Sequence, residues 1–249
     1  MELPDPASVR TLLLDAGGVI VRPDFDRVAA VLGARGVEVV ADVLRRAEPR
    51  VKKELDRPPG EGHATDEERG FLYFDLLLGH AGIERSPATD GALLELKAWH
   101  DEHCLWDEVP EGAGDALRSL RSSGLPISVV SNSNGTVRRM LQRVGLLELF
   151  DVVIDSAVEG VEKPDPRIFH LALERTGTAA EDVVYAGDIY NIDVVGARAA
   201  GIRPILVDEG DLYPEADCPR VRSLAQLADH LAPETRRGGD FLLDSGSIR

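Results

Sequence analysis

Cysteine, lysine and long apolar runs are what this chain of 249 residues has little of. Its two cysteines, Cys104 and Cys218, stand far apart and outside any C-x-x-C pair, which excludes a disulfide framework and a thiolate zinc site. Basic residues number 28 against 44 acidic ones, for a formal net charge of −16. A chain so short of positive charge does not bind nucleic acid or an anionic membrane through bulk charge, because a polyanion needs a cationic face. The longest apolar stretch, residues 71–83, is broken by Asp75 and His80 and falls short of the roughly 18 residues of a membrane span. Glu2, Pro4 and Pro6 occupy positions where a signal peptide needs basic and then apolar residues, so a cytoplasmic protein is expected.

Hydrophobic residues make up 43% of the chain, enough to bury one large core or two modest ones. Five short segments rich in Val, Ile and Leu, at 10–15, 126–131, 151–154, 182–187 and 203–208, carry apolar residues at consecutive rather than alternate positions. Continuous apolarity means burial on both faces, the pattern of a parallel sheet covered by helices. Helical stretches at 112–123, 135–146, 166–177 and 192–201 separate the later strands, which predicts an α/β fold with a doubly wound, Rossmann-like parallel sheet.

Residues 23–107 interrupt that alternation. Apolar positions recur there at three and four spacing over 27–36, 39–55, 65–82 and 88–105, with breakers between, which predicts an inserted helical subdomain. Residues 57–68 read as a loop, with Thr65 capping the next helix and Glu68 as its capping-box partner. The expected division is a core of 1–22 and 108–234, a helical cap of 23–107 and a mobile tail from 235 to 249.

Chemistry gathers at the strand ends. Asp15 closes the first strand, Ser131 the second, Lys163 follows the third, and Asp188 closes the fourth with Asp193 five residues on. In an open parallel sheet these carboxyl ends converge on one crevice. A strand-terminal Asp is often only a helix cap, and Lys163 before Pro164 is compatible with a surface loop; the constellation carries the functional reading, not any one residue. The basic residues comprise only four lysines beside 24 arginines, so Lys163 suggests a need for a compact point charge. The run SNSNG from Ser131 opens a helix, whose free N–H groups with the hydroxyl predict an anion cradle suited to phosphate. His100, His103 and Cys104 form a weaker metal-ligand pattern, and His80, His170 and His230 are isolated.

The segments DAGGVI at 15–20, VVSNSNG at 129–135, VEKPDPRIF at 161–169 and YAGDIYNIDVVGARAAGI at 185–202 resemble, in order, the four motifs of the haloacid dehalogenase-like (HAD) superfamily. The insertion after the first motif resembles the superfamily's helical cap. The resemblance implies a Mg²⁺-dependent hydrolase, foremost a phosphatase of a small phosphorylated metabolite that works through an aspartyl-phosphate. By it, Asp15 is the nucleophile, and Ser131 and Lys163 hold the transferring group with Gly18 and Asn132. Asp15, Asp188, Asp193 and the Gly17 carbonyl serve the metal. The chemistry agrees: a carboxylate attacking phosphorus splits one displacement into two, and the charge it meets calls for a hard divalent cation and a lysine.

One position departs from the pattern. Phosphatases of this superfamily carry a second Asp two residues after the nucleophile, as general acid and base, and here Gly17 stands there. A positioned acid contributes roughly 10²–10⁴-fold in rate. Three expectations follow: a leaving group that needs no proton, an acid from elsewhere such as Asp24, Asp26 or His63, or slow or absent turnover. Alternatives are therefore a 2-haloacid dehalogenase, against which Asp188 and Asp193 weigh, a phosphonatase-like C–P hydrolase using Lys52, Lys53 or Lys97, and a non-catalytic binding protein. Only Lys163, with an arginine such as Arg22, is expected to make the crevice cationic.

Overall fold

The computed structural model describes residues 1–56 and 66–232, with no side-chain description for 66–69 and 71. Its chain order is β1 (Thr11–Leu14), β2 (Arg22–Pro23), α1 (Phe25–Gly33), α2 (Ala41–Leu55), α3 (Asp66–His80), α4 (Pro87–His103) and β3 (Trp106–Glu108). There follow α5 (Ala113–Ser122), β4 (Ile127–Ser131), α6 (Val137–Arg143), β5 (Val152–Asp155), α7 (Ser156–Glu159), α8 (Pro166–Thr176) and β6 (Val183–Gly187). The last elements are α9 (Val195–Ala199), β7 (Arg203–Val207), β8 (Arg220–Val221) and α10 (Leu224–Leu231). Six strands form one sheet in the order β5-β4-β1-β6-β7-β8, every pair parallel, while β2 and β3 pair antiparallel beside it.

The consecutive apolar residues of β1 do what the sequence demanded. Leu12 and Leu14 face a core completed by Leu117 of α5, Leu141 of α6 and Leu227 of α10. Leu13 faces the opposite core, with Ile168 and Phe169 of α8 and Ala197 of α9. Helices thus cover both faces, and the polar ends of the central strands β4, β1 and β6 come together at one edge.

Helices α1–α4 lie between β2 and β3 and pack on a core of their own, built from Phe25, Leu32, Leu44, Val51, Leu77 and Leu96. Local chemistry sets their ends: Asp24 accepts from Arg27 N at the start of α1, and Ser86 and Thr89 form a capping box before α4. Trp106 on β3 packs against both this core and that of the sheet.

The five expected strands lie within one residue of their observed ends, and the four expected helices of the insertion match α1–α4 to within about three. Five of the described elements had no forecast: the β2–β3 pair, the single-turn helix α7, the edge strand β8 and α10. The helix expected at 192–201 begins instead as a single π-turn, Tyr190–Val194, before α9. α3 begins at Asp66, the residue after the expected cap Thr65; Thr65 itself, His63, the Glu68 side chain and the tail 235–249 lie outside what is described. No helix of the described residues is long and apolar enough to cross a membrane.

Candidate active site

Asp15 is the first residue beyond β1, and its N–H donates to Ala186 O of β6 at 2.9 Å, so the sheet itself fixes its place. Its Oδ1 accepts from Ala16 N at 2.8 Å and from Lys163 Nζ at 2.8 Å. Lys163 is only 1% exposed, a burial that costs several kcal/mol for an unpaired ammonium. It is not unpaired: Nζ also lies 2.8 Å from Asp193 Oδ1 and 2.8 Å from the Tyr185 hydroxyl. Burial acts to lower the Lys163 pKa, but Asp15 and Asp193 outweigh it and hold the group well above its ordinary value.

Asp193 arrives on the π-turn, which bulges its carboxylate back toward the end of β6. Its Oδ2 accepts from the N–H of Asp188 and of Ile189 at 3.0 and 2.9 Å, and its Oδ1 from Tyr185 and Lys163. Its four hydrogen bonds hold the loop after β6 and the lysine together. Gly187 leaves the room this requires, since a Cβ there would overlap the Asp193 carboxylate.

Asp15, Asp188 and Asp193 are all buried, and one carboxylate oxygen of each lies within 4.8 Å of the others. With Glu48, four buried carboxylates face two ammonium groups, those of Lys163 and Lys52, leaving two negative charges over when all are ionised. Hard oxygen donors with a surplus of two negative charges fit a hard divalent cation. The same surplus is legible in Asp15, whose pKa is pushed up to about 7: burial raises it most, Lys163 pulls it down, and Asp193 and Asp188 push it up again. Burial likewise raises Asp188, against the pull of Lys52.

Two of the predicted substrate contacts, Asn132 and Gly18, line the cavity and are also bonded within the protein. The Asn132 carboxamide is engaged on both atoms by the Lys163 backbone, accepting from its N–H at 2.8 Å and donating to its carbonyl at 2.9 Å. Gly18 (φ +75°) lines the cavity, but its N–H donates to Val21 O at 2.6 Å; a Cβ there would overlap Asp188. Ser131 lies buried at the end of β4 beside Asn132. Of the amides expected to form a cradle after it, three are engaged within the protein: Gly135 N and Val137 N donate to Asp155, and Ser133 N donates to Ser156. Gly17 sits under the indole of Trp106, which would stand 3.7 Å from a Cβ at that position.

The acids considered as substitutes for the missing carboxyl are engaged elsewhere. Asp24 caps α1 and pairs with Arg27, while Asp26 pairs with Arg45. Arg22 pairs with Glu108 and does not make the crevice cationic. The residues of the alternative metal pattern point to packing: His100 accepts from Leu105 N, and His103 stacks on Trp99 with ring centroids 4.0 Å apart.

Of the three lysines the sequence offered to a C–P hydrolase, Lys52 is the one that reaches the acid cluster. It reaches from α2 to within 2.9 Å of Asp188 Oδ2 and 3.4 Å of Glu48 Oε1, and Tyr73 donates to Glu48 at 3.1 Å. A signal existed: Leu44, Glu48, Lys52 and Asp56 follow one another at spacing of four, so the buried row of α2 continues into charge. The site opens into a cavity of about 800 Å³. Asp15, Ser131, Lys163 and Asp188 lie at its sheet end, and Tyr73, Phe74, Leu93 and Trp106 line the helical side.

A parallel α/β sheet with an acid cluster and a buried lysine at its carboxyl edge defines a hydrolase of the HAD class. The chain belongs to the haloacid dehalogenase-like hydrolase family, whose model matches residues 9–201. It is 35% identical over 207 residues to haloacid dehalogenase-like hydrolase domain-containing protein 3 of Bos taurus, covering 80% of this chain and 82% of that one. It is 40% identical over 229 residues to a phosphoserine phosphatase of Thermus thermophilus, covering 83% and 91%. Among solved structures, YfnB of Bacillus subtilis bound to magnesium superposes with a TM-score of 0.64 at 26% identity, covering 90% of this chain and 98% of that one.

Proposed function

We propose that this hydrolase cleaves a small phosphorylated metabolite with Mg²⁺, through an aspartyl-phosphate at Asp15. The observation that carries the reading is the buried group of Asp15, Asp188, Asp193 and Lys163 at the floor of one cavity, with its surplus of negative charge. Relatives named as phosphatases support the same chemistry.

Asp15, Asp188 and the Gly17 carbonyl would hold the ion, with Asp193 bracing the loop that carries Asp188. Bound there, Mg²⁺ supplies the counter-charge that lets a carboxylate approach a phosphate dianion. A carboxylate oxygen of Asp15 then attacks phosphorus and the bond to the leaving oxygen breaks. Lys163 meets the equatorial charge that develops, Ser131 and the Gly18 loop border the phosphoryl group, and Asn132 holds Lys163 in register. Water next attacks the acyl phosphate, releasing phosphate and restoring Asp15. With glycine at position 17 no carboxyl at that place protonates the leaving group, so acyl and aryl phosphates are expected to react faster than alkyl ones.

In this reading residues 1–22 and 108–234 are the catalytic core, and 23–107 a cap that excludes water and reads the substrate. The position of Lys52 favours one second reading, C–P cleavage through an imine on that lysine. Against it, Asp188 and Glu48 keep the Lys52 pKa above its ordinary value despite burial, whereas imine formation needs the neutral amine. A panel of acyl, sugar and aryl phosphates and a carbonyl-bearing phosphonate, with and without Mg²⁺, tests both. Phosphate esters are expected to turn over; turnover of the phosphonate alone would favour the second reading.

A further inference from the structure

Lys52 is not a wandering surface side chain. The end of α2 that carries it is tied to the sheet domain on both sides: Asp56 Oδ1 accepts from Asn191 N and Nδ2 at 2.7 and 2.9 Å, and Lys53 Nζ lies 2.6 Å from Glu215. Glu48, one turn back, is buried and fixed by Tyr73. The Lys52 ammonium is thereby delivered directly above Gly18, where a Cβ would come within 2.5 Å of Nζ, and within 2.9 Å of Oδ2 of Asp188, one of the three clustered acids.

The other cations on the helical side of the cavity already carry acids of their own, Arg85 with Asp75 and Asp90, and Lys97 with Asp101. Lys52 alone among these cavity-lining cations spends its charge on the acid cluster at the sheet edge. An ammonium at hydrogen-bond distance from a carboxylate opposes a divalent cation at the same oxygen, because like charges repel strongly where water is excluded.

We propose that Lys52 is a tethered counter-ion that exchanges partners. Without metal it neutralises Asp188 and opposes entry of the divalent cation. Once the cation holds Asp188, the ammonium turns to the anionic group of the substrate beside Gly18. Metal and substrate anion therefore bind cooperatively, since the first frees the lysine that the second needs. The inference rests on the metal-assisted reading above and makes Lys52 a contact for the transferring group supplied by the helical segment.

Calorimetric titration of Mg²⁺ without substrate, followed by inorganic phosphate at saturating Mg²⁺, tests it in wild type, Lys52→Met, Lys52→Gln and Lys52→Arg. Lys52→Gln keeps a donor for Glu48 if the methionine variant folds poorly. Both neutral variants are expected to bind Mg²⁺ at least tenfold more tightly, about 1.4 kcal/mol, and phosphate several-fold more weakly, with Lys52→Arg close to wild type. Unchanged or weaker Mg²⁺ binding in the neutral variants, or unchanged phosphate binding, overturns the exchange. A wild-type protein that binds no Mg²⁺ overturns instead the metal-assisted reading beneath it.

Discussion

The side-chain amide of Asn132 brackets the backbone of Lys163, accepting from its N–H and donating to its carbonyl across the gap between the β4 and β5 loops. A residue of a strand-end loop thus fixes the backbone from which the buried ammonium extends. Replacing it with alanine removes two hydrogen bonds, each worth about 1 kcal/mol net. Asn132→Ala is expected to fold, to lose about 1–3 kcal/mol in a denaturant titration, and to lose at least about tenfold in kcat. Its Mg²⁺ titration should stay near that of wild type, which a general collapse of the site would not allow.

Gly17 and Gly18 are adjacent and answer to different constraints. At Gly17 a Cβ meets only the Trp106 indole at ordinary contact distance, whereas Gly18 has φ +75° and no room beside Asp188. Gly17→Ala should therefore leave thermal stability nearly unchanged. Gly18→Ala should lower it clearly, by the roughly 1–2 kcal/mol of left-handed backbone and by the clash besides. Equal melting temperatures for the two variants would contradict this account.

The open side of Gly17 also makes Gly17→Asp a test of what limits turnover. With Asp15 and Lys163 in place, the added carboxyl is expected to raise hydrolysis of alkyl phosphates by about tenfold or more, with a smaller gain for acyl phosphates. Steady-state rates on one substrate of each kind measure it. No gain in a variant that still binds Mg²⁺ would mean that proton supply is not the limiting step.

The raised pKa of Asp15 carries a stability signature. Its folded value of about 7 lies above the ordinary 3.8, so the folded chain holds this proton more tightly than the unfolded one. That contribution is fully present below pH about 4 and is lost as the pH rises through about 7. In chelator, the melting temperature of Asp15→Asn relative to wild type should therefore climb between pH 5 and 8. Mg²⁺ should stabilise wild type more at pH 8 than at pH 5, since the ion needs the ionised carboxylate. A difference that does not vary with pH would contradict the burial of this charge.

The sheet was legible because five strands buried on both faces wrote continuous apolar runs, and the ends of those runs located Asp15, Ser131 and Asp188 at one edge of it. β2, β3 and β8 span two or three residues each, too few for a period to register. α10 went unread although Ser223 caps it and Leu224, Leu227 and Leu231 keep helical spacing. In the site, the motif residues were visible but their division of labour was not: that Asn132 serves Lys163, and that Asp155 accepts from Gly135 N and Val137 N, are facts of loop geometry. Lys52 could not be told from Lys53 and Lys97 because a charge on a helix is ordinarily solvated, and the packing of α2 against the loop after β6 is what turns it inward.

Phosphate release from the substrate panel, measured for wild type and Asp15→Asn with Mg²⁺ and with chelator, tests the central claim most directly. Release that requires both the metal and the Asp15 carboxylate is the predicted result. Release that survives either the chelator or the Asp15→Asn substitution would contradict it.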